Sequence, residues 1–171
     1  MIKHLPARVE GFSYVDFGCG KGRTLLLAAE RGFEDIVGVD ISAQLLEVAR
    51  ENMARKGIPG KLVCCDVREF EFPERPLVLF MYNPFYPDVM QAVAERLRKS
   101  TAKTPRDVFI LYYSAAIKDV WVEQGFEIFR TSNACYPNYT IYRSAGAEAV
   151  PGVDQCRQTD SEQPAAMAAS R

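Results

Sequence analysis

The sequence predicts an α/β fold, a doubly wound and mostly parallel sheet of seven strands with an antiparallel strand hairpin at its C-terminal end. Three observations predict it. Near-continuous apolar runs of strand length alternate with segments of helical period from residue 12 onward, the pattern of strands buried on both faces by crossover helices. The stretch DFGCGKG, residues 16–22, lies between the first such run and the first helix, where open α/β sheets hold their ligands. Two final runs rich in aromatic and β-branched residues, 126–132 and 138–144, are separated only by NACYP, short enough for a hairpin.

Each element has its own signal. FSYVDFG (12–18) reads as a buried strand, and GRTLLLAAERG as a helix with Leu25, Ala28 and Ala29 on one face and Gly32 as its stop. DIVGVDI (35–41) is the second strand. Ser42 is placed to cap a helix carrying Leu45, Val48, Ala49 and Met53 inward and closing at Gly57. KLVCCDV (61–67) is the third strand and LVLFMYN (77–83) the fourth, with the irregular REFEFPERP between them. A helix follows that tolerates Pro87 in its first turn and turns Val89, Val93 and Leu97 inward. DVFILYYS (107–114) is the fifth strand, and Ile117, Val120 and Trp121 at helical spacing mark a short helix before the hairpin.

A chain of 171 residues, 48% hydrophobic, suits one well-buried domain. We divide it into a short N-terminal segment (1–11), a domain (12–144) and a tail (145–171) without aromatics or periodicity that is expected to be disordered. The net charge of −1 gives no general attraction for nucleic acid or an anionic membrane. The apolar runs are far shorter than the roughly 20 residues of a membrane helix, and the N-terminus lacks an apolar signal core, so a cytoplasmic location is expected. The five cysteines form no C-x-x-C pair, which suggests free thiols and no metal site.

The glycines at 18, 20 and 22 sacrifice side-chain contacts and conformational entropy, which is explicable if a ligand must touch the main chain at a helix N-terminus. The spacing excludes two familiar cradles. A dinucleotide fingerprint needs a third glycine or alanine at 23, where Arg23 stands, and a P-loop needs G-x-x-x-x-G-K-[ST]. What stands is Asp16-x-Gly18-x-Gly20-x-Gly22.

With DFGCGKG, GVDIS ending the second strand, CCDV ending the third and YNPF ending the fourth, all in order, the sequence resembles the class I S-adenosylmethionine-dependent methyltransferases over residues 12–144. The terminal hairpin is similar to that family's reversed last strand. The resemblance implies a Rossmann-like fold and S-adenosyl-L-methionine as cofactor. It implies that Gly18, Cys19, Gly20 and Gly22 face the ligand, that Asp16 orients the methionine ammonium through the loop, and that Asp40 accepts hydrogen bonds from the ribose hydroxyls. Asp66 would meet the adenine amino group, with Ile41 and Val67 giving the ring apolar faces. Plainer readings stand beside these: Asp40 as a helix N-terminal charge, Asp66 as a turn-forming acid, Asp16 as a carboxylate satisfied by nearby main chain, Cys19 as a small residue tolerated beside the ligand.

A sulfonium methyl is already electrophilic, so its transfer needs alignment more than a strong base. NPF resembles the Asn-Pro-Pro-Tyr/Phe motif of amino-directed methyltransferases without its second proline. Asn83 and the Pro84 carbonyl would accept hydrogen bonds from an amine, and Phe85 would pack on the acceptor; Asn-Pro is equally a turn initiator. The expected function is methyl transfer to a nitrogen of a protein side chain or small molecule. A non-catalytic cofactor-binding module, a shortened methyltransferase fragment and an NAD-dependent oxidoreductase stay open as alternatives. Eleven residues before the first strand offer little lid, so the short N-terminal segment itself, a homodimer or a partner chain is expected to complete substrate access.

Overall fold

The central strands are buried along nearly their whole length, and their side chains divide the core into two faces, one above and one below a single sheet. The computed structural model describes residue 5 and residues 9–82, 85–132 and 138–144. Asn83 and Pro84, the hairpin turn, the tail and most of the N-terminal segment lie outside the described residues.

The elements run β1 (Ser13–Phe17), α1 (Arg23–Arg31), β2 (Asp35–Asp40), α2 (Ala43–Arg55), β3 (Lys61–Cys64), β4 (Leu77–Tyr82), α3 (Pro87–Lys103), β5 (Val108–Tyr113), α4 (Asp119–Glu123), β6 (Phe126–Ser132) and β7 (Tyr139–Ser144). The sheet order is β3-β2-β1-β4-β5-β7-β6. β1 to β5 are parallel, and β7 is antiparallel to both β5 and β6. The hairpin's second strand therefore inserts next to β5, and its first strand becomes the edge.

Strand side chains alternate between faces. Val15, Phe17, Leu77, Leu79, Met81, Val108, Ile110 and Tyr112 meet Met90, Val93 and Leu97 of α3 and Trp121 of α4. Tyr14, Ile36, Val78, Phe80, Phe109 and Leu111 face Leu25 and Ala28 of α1 and Leu46 and Met53 of α2. The helix ends follow local chemistry. Ser42 Oγ accepts the Leu45 N–H at 3.3 Å as an N-cap should. Gly32 closes α1 at φ 98°, and Pro87 starts α3. At the other end of α3, Arg106 donates to the Ser100 and Thr104 carbonyls at 3.1 and 2.8 Å, which satisfies groups a helix C-terminus leaves open.

Three expectations need correction. Ile117 lies before α4, which starts only at Asp119. α2 buries Leu46, Ala49 and Met53, whereas Val48 is exposed; the inward stripe starts one residue later than the sequence suggested. β3 ends at Cys64, not at residue 67. Its ladder partner explains this: Cys64 pairs with Asp40, the last residue of β2, and beyond it β2 turns into the α2 cap. The stretch after β3 is not a simple connection either. Phe70 and Phe72 fold back on Phe17, with ring centroids 5.3 and 5.8 Å away, and cover that end of the sheet.

Candidate functional site

The strand order reverses between β1 and β4, the switch point at whose carboxyl ends doubly wound sheets bind ligands. The loop leaving β1 is pinned there, because the Gly18 and Cys19 N–H groups donate to the Val39 carbonyl at 2.9 and 3.1 Å and the Gly22 N–H donates to the Cys19 carbonyl at 2.9 Å. Gly18, Gly20 and Gly22 all have positive φ, at 77°, 53° and 79°, a backbone that side-chain-bearing residues adopt at a cost.

The glycines nevertheless differ. A Cβ on Gly22 would lie 3.1 Å from the Ala49 Cβ, so this glycine lets α1 and α2 close on each other. A Cβ on Gly20 would meet nothing within 4 Å. Gly20 is the bared point of the turn.

Asp40 faces that turn. Its Oδ2 accepts the Gly20 N–H at 2.9 Å and its Oδ1 accepts the Ser42 N–H at 2.9 Å. A carboxylate has about four lone-pair positions, so each oxygen can still accept from a ligand while it braces the loop. Next to it Ile41 is 76% exposed, an apolar side chain held out beside a polar cradle.

Asp16 lies beneath the loop, only 2% exposed, and accepts a hydrogen bond from the Thr24 hydroxyl of α1. Burial pushes its carboxyl up to about 7; the Thr24 bond opposes that rise and the Asp40 charge adds to it. Cys19 turns its thiol inward, toward Leu25 and the bare Cα of Gly38. Burial, followed by the charges of Asp16 and Asp40, pushes that thiol up to about 12, so it is a poor nucleophile.

At the third strand's end, Asp66 Oδ1 accepts the Arg68 N–H at 2.9 Å, closing its own turn. The Arg68 guanidinium adds contacts of 3.0, 3.1 and 2.6 Å, and these bonds hold the Asp66 carboxyl down at about 2. An adenine amino group would therefore share this carboxylate with Arg68. Val67 is buried among the core residues with Phe70 and displays little surface.

Phe85 is partly buried, 6.4 Å from Phe17 between ring centroids, and links the end of β4 to the end of β1. Tyr82 and Tyr113 stand together on the neighbouring strand ends, rings 5.0 Å apart, and Ser114 just beyond takes φ 54°, rare for a residue with a side chain. Sequence reasoning missed Thr24, the Phe70–Phe72 cover and the tyrosine pair. Thr24 had one readable signal, a hydroxyl two residues past the last glycine in a helix otherwise apolar or charged.

The fold and this site define a doubly wound domain with a bared glycine turn and a facing carboxylate at its switch point. The family model described as "Methyltransferase domain" matches residues 15–103, more than half of the chain. A ribosomal protein L11 methyltransferase of Alteromonas mediterranea is 46% identical over 52 residues, 30% of this chain and 18% of that protein. The chain thus spans less than a fifth of the curated relatives it matches. Among solved structures, the ribosomal protein L11 methylase of Lactobacillus delbrueckii subsp. bulgaricus superposes with a TM-score of 0.63 at 18% identity, covering 80% of this chain and 71% of that one. Magnesium protoporphyrin IX methyltransferase of Synechocystis PCC 6803, solved with bound SAH, gives 0.63 at 14% identity, covering 81% and 76%. The chain belongs to the methyltransferase-domain family, with the fold of the class I S-adenosylmethionine-dependent enzymes. Among the described residues, no helix is long and apolar enough to cross a membrane.

Proposed function

We propose that this chain binds S-adenosylmethionine at the β1–β2 strand ends and transfers its methyl group to a nitrogen of a protein side chain or small molecule. One observation carries the reading: Asp40 braces the bared Gly20 turn with one lone pair on each oxygen, and the other lone pairs are the ones a ribose would use. When bound, the cofactor would supply an electrophilic methyl group carried on a sulfonium, for an acceptor nitrogen to take.

This chain's residues do the positioning. Asp40 would accept from the ribose hydroxyls, Ile41 would cover one face of the base, and Asp66 would take the adenine amino group at the lone pairs Arg68 leaves. Gly18, Cys19 and Gly20 would carry the methionine end on main chain, with Gly22 holding the turn close to α2, Asp16 below and Val67 packed behind the base. Asn83 and the Pro84 carbonyl would orient an amine acceptor by its N–H groups, and Phe85 would pack against it. A second copy or a partner chain would complete the acceptor side.

Thermal unfolding with added ligand tests the reading, since selective binding to the native state raises Tm. S-adenosylmethionine and S-adenosylhomocysteine are expected to raise Tm and NAD to leave it unchanged; stabilisation by NAD alone would overturn the reading. Binding without release of S-adenosylhomocysteine, whatever amine is supplied, would favour the cofactor-binding module instead. Ile41→Ser should lower cofactor affinity by about tenfold without lowering Tm, because Ile41 is exposed in the free chain. Titration calorimetry beside a melting curve checks both halves.

A further inference from the structure

The sheet has two edges, and they are finished differently. β6 carries a register shift between Ile128 and Arg130 and an ion pair to its neighbour, Arg143 to Glu127 at 3.1 Å; a bulge and charges blunt an edge strand against further pairing. β3, at the other end of the strand order, pairs with β2 in unbroken register from Lys61 to Cys64. Just past it the Cys65 N–H donates to the Asp40 carbonyl at 3.3 Å. Main-chain groups alternate sides along a strand. Val63 and Cys65 therefore turn theirs to β2, and Leu62 and Cys64 turn theirs outward, where among the described residues no strand pairs.

Beside that edge lies a hollow of about 370 Å³, lined by Met53 and Ala54 of α2, Ile58 and Pro59 of the following loop and Leu62 of β3, together with Arg50. Its side chains are apolar except for Arg50, which already pairs with Glu47. Paired residues stand on the same face of a sheet. A residue added opposite Leu62 would thus lean over α2 and into this space.

The charge here is one-sided. Arg55 pairs with Glu51 at 3.2 Å, whereas Lys56, at the end of α2, and Lys61, at the start of β3, are exposed and have no carboxylate partner among the described residues. Leu62 packs on the α1 and α2 side of the sheet and Val63 on the other, so alternation puts Lys61 on the face of Val63. A lysine alone serves as a guard on an edge strand. A guard needs no apolar hollow beside it.

We propose that β3 is a docking edge for an extended segment of another protein, one that alternates apolar residues with acidic ones. The segment adds a strand beside β3, its main chain pairing with Leu62 and Cys64, its apolar side chains entering the hollow over α2 and its carboxylates meeting Lys61 on the other face. Added strands take affinity from main-chain hydrogen bonds and specificity from alternate side chains. The inference does not depend on the proposed function, because the hollow lies toward the amino end of β3, away from the strand ends that hold the glycine turn.

The test uses the full chain and capped octapeptides that alternate glutamate with valine, leucine or phenylalanine, read by amide hydrogen exchange in NMR spectra. In the free chain the Leu62 and Cys64 amides should exchange at least about tenfold faster than those of Val63 and Cys65, and a bound peptide should slow them by at least about tenfold. The same peptides N-methylated at alternate residues, which cannot complete the ladder, should slow neither. Lys61→Glu should weaken the glutamate peptides about fivefold, the size of an exposed ion pair, and strengthen peptides rebuilt with lysine, a swap that a merely loosened edge does not produce. Ala54→Phe, on the exposed wall of the hollow, should weaken every peptide at least about fivefold by filling the space. If none of the glutamate peptides slows the Leu62 and Cys64 amides at millimolar concentration, the inference is overturned. Protection of those amides that is present without peptide and fades on dilution, with a dimer in sedimentation, overturns it as well and assigns the edge to a second copy of the chain.

Discussion

Asp40→Ala is expected to weaken S-adenosylmethionine binding by at least about a hundredfold, the loss of two hydrogen bonds to a charged acceptor at about 1.5–3 kcal/mol each. The geometry makes this side chain more than a sugar clamp. Its two oxygens accept from Gly20 and Ser42 N–H at 2.9 Å each, so alanine would free the turn and the start of the α2 cap together. Asp40→Asn separates the two roles. An amide keeps one acceptor, and its NH2 must then face either the Gly20 or the Ser42 N–H, donor against donor. A ribose hydroxyl can still accept from that NH2. Asparagine should therefore recover part of the sugar contact while loosening the turn, falling between wild type and alanine in calorimetric affinity. Alanine binding within threefold of wild type would show that the sugar is held elsewhere.

That the carboxylate would meet the glycine turn could be read from the sequence because the relation is topological. A strand ending in Asp40 beside one ending in DFG brings the two ends together whatever packs around them. Strand identity and helix caps were legible for a similar reason: Ser42, Gly32 and Pro87 act within one turn of where they stand. What stayed hidden depends on distant partners. The early end of β3 follows from where β2 departs, and the insertion of β7 beside β5 depends on pairing across the hairpin. The choice of Leu46 over Val48 depends on how α2 is rotated on the sheet.

Local motifs also mislead where one residue type serves two ends. DFGCGKG reads as three equivalent bare positions, yet Gly22 belongs to helix packing and Gly20 to the open face. Cys19 sits in the motif but turns its thiol into the core. The Asp66 site shows the converse. A residue two positions on, Arg68, occupies much of the acid that the resemblance assigned to adenine, and no strand-end pattern reveals that pairing.

The two glycines should therefore fail in different currencies when each becomes alanine. Gly22→Ala places a methyl 3.1 Å from the Ala49 Cβ and 3.4 Å from its Cα, contacts with helix backbone that cannot swing aside, at φ 79°. The left-handed backbone costs about 1–2 kcal/mol and the overpacking about 1–3 kcal/mol more. A Tm lower by about 10 °C follows, and affinity should suffer only as the loop shifts. Gly20→Ala meets no protein atom within 4 Å, at φ 53°, near the centre of the small left-handed region that alanine can occupy. Its stability loss should stay near 1 kcal/mol. The new methyl, however, stands in the space above the turn, and a ligand lying on that main chain must lift away from the Gly20 amide or be excluded. Cofactor affinity should drop at least about tenfold, since a displaced ligand forfeits more than 1.4 kcal/mol of close contact. If Gly20→Ala binds S-adenosylmethionine as wild type does, the ligand does not rest on this turn, and the openness at residue 20 needs another explanation.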